Sequence, residues 1–171
     1  MDHIDTLRLS DVRLYDNWAS APRGTLLQMR VADQIIAGMR TSYPSVNGEP
    51  DAFLVLGGEH AGEMISDEYL RGVSALDVSS LLEIVAIRPA PFECAKVNQL
   101  PHGALLRYPD RDIYFVWLTM QKGTGSGAVC VVSNDPKCPV GTCVPQLNKN
   151  RLIGIATKVD LRLRELAEKA N

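Results

Sequence analysis

The chain has no surplus of positive charge. Its 18 Lys and Arg stand against 20 Asp and Glu, giving a formal net charge of -2 and a pI near 5.9. A dedicated nucleic-acid binder carries a basic balance or a dense Lys/Arg stripe, so recognition of DNA or RNA through phosphates is disfavoured. Arg8, Arg13, Arg23 and Arg30 are interleaved with acidic residues and read as a mixed surface. No apolar stretch approaches the ~18 residues of a membrane-spanning helix. The opening MDHIDTLRLSDVRLYD lacks the basic start and continuous apolar run of a secretory signal. The expectation is a soluble, cytoplasmic protein without a membrane partner, whose thiols stay reduced.

The strong catalytic and cofactor signatures are also missing. There is no H-E-x-x-H. KGTGSGA (122–128) resembles a phosphate loop, but its lysine comes first and a strand follows. A P-loop needs Lys-Ser/Thr after the last glycine and a helix behind it. GTGSG also has its serine displaced from a G-x-S-x-G elbow. No cofactor is expected.

What remains is a chain of 171 residues, 46% apolar and 22% charged. It is long enough for one ordinary domain or two small ones with a real core. PRGTLL (22–27) and PHGALL (101–106) share the form Pro-x-Gly-x-Leu-Leu. AFLVLGG from Ala52 parallels AVCVVSN from Ala128, and LRGVSALDV from Leu70 parallels LIGIATKVD from Leu152. The anchors keep their order, and the spacing changes fall in turn-rich stretches, 41–50 and 134–150. The pattern suggests an internal duplication. It also resolves ADQIIAGMR (32–40), ambiguous alone, because its counterpart DIYFVWLTM (112–120) is β-branched and aromatic.

Short strands with Gly/Pro turns lead to a mainly β fold. The expected form is two tandem small barrel-like (SH3-like) repeats, 1–88 and 89–171, with a C-terminal helix at 160–170. Leu163, Leu166 and Ala167 form that helix's apolar stripe. The alternative is a single α+β domain with a helix near 64–77, where Met64, Tyr69, Leu70, Val73 and Leu76 also suit a helical face.

Several residues are candidates for chemistry. In GEHAGE (58–63), Glu59, His60 and Glu63 form an acid/base or metal-binding set, set against a solvated hairpin tip. His102 and Cys130 can meet as base and nucleophile if the second-half strands form a meander. Cys138 and Cys143, in CPVGTC, are candidate metal ligands with a spacing unusual for zinc. With no strong catalytic motif, the leading expectation is a non-enzymatic protein-binding or assembly protein. Its partner is a protein or a second copy. The surfaces expected to read it are the unequal loops, with Tyr43, Asn47, Lys137, Val140 and Asn148, and Trp18 if exposed. The alternative is a small hydrolase-like cytosolic enzyme using one of the histidine sets.

Overall fold

The computed structural model describes residues 12–42, 50–89, 102–119, 126–144 and 152–164. Tyr43, Asn47 and Asn148 lie outside them.

Among the described residues, twelve strands form two six-stranded antiparallel sheets. The first holds β1 (Leu14–Tyr15), β2 (Leu26–Val31), β3 (Gln34–Ser42), β4 (Asp51–Val55), β5 (Met64–Ser66) and β6 (Ala75–Asp77). The second holds β7 (Leu82–Pro89), β8 (Leu105–Arg107), β9 (Tyr114–Thr119), β10 (Ser126–Val132), β11 (Cys143–Val144) and β12 (Ile153–Leu163). Read from their first strands, the orders are β1-β6-β2-β3-β4-β5 and β7-β12-β8-β9-β10-β11, the same path in each.

The apolar runs form strands that are buried on both faces. In AFLVL, Leu54 and Leu56 point into a central layer, whereas Phe53 and Val55 point to the outer side of the first sheet. In YFVWL, Val116 and Leu118 enter the same central layer, and Phe115 and Trp117 face the outer side of the second sheet. Continuous apolar strands are what two-sided burial requires. The central layer therefore draws on both sheets, with Leu26, Met39 and Leu54 meeting Leu105, Val116 and Val129.

This arrangement corrects the barrel expectation. Among the described residues neither sheet closes on itself. The first sheet ends in strands of two and three residues, too short to seal a barrel. Each sheet instead buries its inner face against the other.

The C-terminal helix is also corrected. Residues 160–163 belong to β12 and pair with β7, from Asp160↔Val85 to Leu163↔Leu82. The reason is a period of two: Val159 and Leu161 reach the central layer, while Arg162, one residue on, pairs with Glu83. Residues 165–170 are outside the described set. The helix near 64–77 gives way to β5, a 3₁₀ turn at Asp67–Tyr69, and β6. No α-helix occurs among the described residues.

Candidate functional site

The two Pro-x-Gly turns are contact points between the halves. Gly24 and Gly103 both have positive φ, +88° and +89°. A methyl group on Gly24 would lie 2.6 Å from Val140 O, and one on Gly141 would lie 2.9 Å from Gly24 Cα. On the other side, a methyl on Gly62 would lie 2.9 Å from Gly103 Cα and 3.3 Å from His102 Cδ2. So the hairpin after β4 docks on the turn before β8, and the hairpin after β10 docks on the turn before β2. The Thr41 hydroxyl, fully buried, donates to Gly141 O across the second contact.

The first docked hairpin carries Glu59, His60 and Glu63. His60 Nδ1 is 3.1 Å from Glu63 Oε1, and its Nε2 is 3.4 Å from Glu59 Oε1. The side chains are 53%, 57% and 88% exposed for His60, Glu63 and Glu59. The carboxylates flank opposite ring nitrogens, which orients the ring but leaves no shared point where a metal or reacting atom would sit. Hairpin docking brings His102 against Gly62 of the same hairpin. Among the described residues no cluster of three or more His, Cys, Asp or Glu has metal-holding geometry.

Cys130 lies elsewhere. It is fully buried on the outer side of the second sheet, with Phe115 and Trp117. Its Sγ approaches Val132 O at 3.5 Å and Cys138 O at 3.7 Å. Burial first, and then Cys138, push its pKa up to about 12. A nucleophilic cysteine needs the opposite shift. Cys138 packs toward the same outer layer, whereas Cys143 packs toward the central layer. The two thus take opposite faces of the second sheet, and both are free thiols. Burial also raises Cys143, to about 11.

These thiols give a pH prediction. Between their ordinary value of 9.0 and the raised values, the native state holds protons that the unfolded chain has lost. Stability is therefore fully present below pH 9 and falls as pH rises toward 12. Urea melts at pH 8 and pH 10.5 are expected to show that loss, and Cys130→Ala to show a shallower one. An equal slope in wild type and variant would refute the assignment.

Trp18 is a core residue, not a surface anchor. It is fully buried, its Nε1 donates to Leu70 O at 2.8 Å, and it meets Phe53 edge-on at 6.2 Å. Lys137 is exposed in the hairpin after β10, its backbone N bonded to Asp135 Oδ1 at 2.9 Å. Val140 is half-buried against the central layer at the docking contact, facing the other half.

Two further features lie apart from the candidate residues. One is β7, eight residues long and paired only with β12 among the described residues. The other is a cleft between the sheets, reached by Ser79, Glu83 and Arg164. Strict alternation in VDLRLR (159–164) is the signal for β12 running on to Leu163, which places Arg164 directly after the strand.

No family model matches the chain, and no curated protein and no solved structure matches it. Among the described residues no helix is long and apolar enough to cross a membrane.

Proposed function

We propose that the chain is a non-enzymatic binding or assembly protein built from a duplicated β module, and that it recruits its partner along the edge of β7. The observation carrying this reading is the edge itself. The other outer strands, β1, β5 and β11, have two or three residues. β7 has eight, reading LEIVAIRP, with four consecutive apolar residues between Glu83 and Arg88. Proteins blunt sheet edges with short strands and charges, and a long apolar edge is a template for strand addition. A second copy is the simplest partner, because antiparallel edges can pair about a two-fold axis.

Duplication is supported by the shared strand order and by the reciprocal glycine contacts. Gly24 and Gly103 are 79 residues apart, as are Gly62 and Gly141. Gly62 N donates to Val55 O, and Gly141 N to Cys130 O. Gly24 N donates to Arg40 O, and Gly103 N to Trp117 O. Reciprocal contacts of this kind are what a fused pair of identical units would make. A reducing, cytoplasmic setting is part of the same proposal. Binding is favoured over the hydrolase-like alternative because Cys130 is buried and the His60 group sits at an exposed tip.

Ala86 is exposed at the middle of β7. Ala86→Lys places a charge on the edge without touching the core. Sedimentation across a micromolar-to-millimolar series is expected to show concentration-dependent association of the wild type, weakened at least about tenfold in the variant, or ~1.4 kcal/mol. A wild type that stays monomeric throughout, or a variant that associates equally, would sink the proposal.

A further inference from the structure

A cleft of about 340 Å³ opens between the two sheets. Its lining combines the apolar Met39, Val131, Val132 and Val140 with the polar Ser79, Glu83 and Arg164. This is the lower end of the size range of ligand pockets, and polar and apolar groups share the lining about equally.

The charges at the rim are unequal. Glu83 is already matched, since Arg162 Nε donates to its Oε1 at 2.9 Å. Arg164 has no acidic partner among the described residues. Its Nε donates to Ser79 O at 3.2 Å and Leu82 O at 3.1 Å, and its backbone N to Leu81 O at 2.7 Å. These bonds fix the stem and the plane of the guanidinium. The two terminal nitrogens are left as a fork without a partner among the described residues. A pre-set guanidinium fork matches a carboxylate in geometry and charge, and little side-chain freedom is lost on binding.

The corresponding place in the other half is closed. The ladders put Gly57 level with Val132: Gly57 N donates to Ala37 O, and Val132 pairs with Tyr114. A methyl on Gly57 would touch Leu161 Cδ1 at 3.6 Å and Asp160 Oδ1 at 3.7 Å. Val132, by contrast, is 44% exposed at the cleft. Packing two similar sheets therefore does not by itself require the opening.

We propose that this cleft is a binding site for a short aliphatic carboxylate, whose chain lies against Met39, Val131 and Val140 and whose carboxylate is held by Arg164. The proposal goes beyond the edge-strand reading and is independent of it. The probe is octanoate, titrated calorimetrically into the full chain, with octanol and octylamine as comparators. Octanoate is expected to bind saturably with one-to-one stoichiometry, octanol at least tenfold more weakly, and octylamine not at all. Arg164→Gln is expected to lower octanoate affinity about tenfold or more while leaving octanol unchanged. Val132→Trp, which fills the opening from an exposed position, is expected to abolish binding of both with an unchanged melting temperature. Absence of saturable octanoate binding would overturn the proposal. So would equal affinity for octanoate and octanol, or an Arg164→Gln protein that melts and binds like the wild type. Ala86→Lys leaves octanoate binding intact, so the two proposals fail separately.

Discussion

Gly38→Ala is expected to lower stability by at least about 3 kcal/mol, toward the upper end of what overpacking does. Gly38 sits in β3, opposite Leu27 on one side and Val55 on the other. A methyl group there would overlap the carbonyl oxygen of Leu54 and lie 2.8 Å from Leu54 C and 2.9 Å from Val55 Cα. All three are backbone atoms, so no rotamer change relieves the overlap. Relief requires β4 to move away from β3. That movement strains the bonds from Leu56 N and Gly57 N to Ala37 O. It also pulls Leu54 and Leu56, both fully buried, from the central layer. A fall in melting temperature of roughly 10 °C follows for a chain of this size. Hydrogen exchange at Leu54–Gly57 should accelerate in the variant. A melting temperature within about 2 °C of wild type would show that β3 and β4 can separate at little cost.

Much of the strand content is readable from residue type, because two-sided burial writes itself as uninterrupted apolar runs. Tyr114–Thr119 of DIYFVWLTM forms β9, and ADQIIAGMR contributes most of β3. The glycine of each Pro-x-Gly turn takes the positive φ that a tight entry to a strand suggests. At residues 160–163 two periods compete in the sequence. Leu163, Leu166 and Ala167 fit a helical stripe, but the residues from Val159 to Arg164 alternate, and pairing with β7 decides between the two. Gly38 illustrates a different limit. AGM reads as an ordinary strand segment, and nothing local announces that another backbone lies against it.

The cleft was illegible for the same reason. Met39, Ser79, Val132 and Arg164 lie far apart in sequence and converge only when the two sheets pack. Conversely, the motif-like residues were legible and led elsewhere. His60 and Glu63 are brought together, but at an exposed tip. Cys130 is fixed in a core layer where its thiol is held neutral. The sequence signal for Arg164 was indirect: it depended on recognising β12 as a long strand.

Gly141→Ala is expected to cost about 3–4 kcal/mol, from two sources that a control can separate. The first is conformational. Gly141 has φ +93°, and a side chain in the left-handed region costs about 1–2 kcal/mol. Gly72 shares this feature, with φ +69°, but a methyl there meets nothing within 4 Å. Gly72→Ala should therefore show the conformational cost alone. The second source is the docking contact. A methyl on Gly141 would overlap Gly24 N and lie 2.9 Å from Arg23 C and Gly24 Cα. The excess of Gly141→Ala over Gly72→Ala in urea melts thus measures how firmly the β10–β11 hairpin sits on the first half. An excess of at least about 1.5 kcal/mol is expected, within the range for overpacking. Equal losses would mean that the hairpin can lift away freely. The same displacement has a functional consequence, because Gly24 and Val140 line the cleft beside the contact. A hairpin pushed off the Pro22–Gly24 turn widens the cleft and carries Val140 away from Met39. Octanoate affinity in the folded Gly141→Ala protein should then fall, while in Gly72→Ala it stays at the wild-type value.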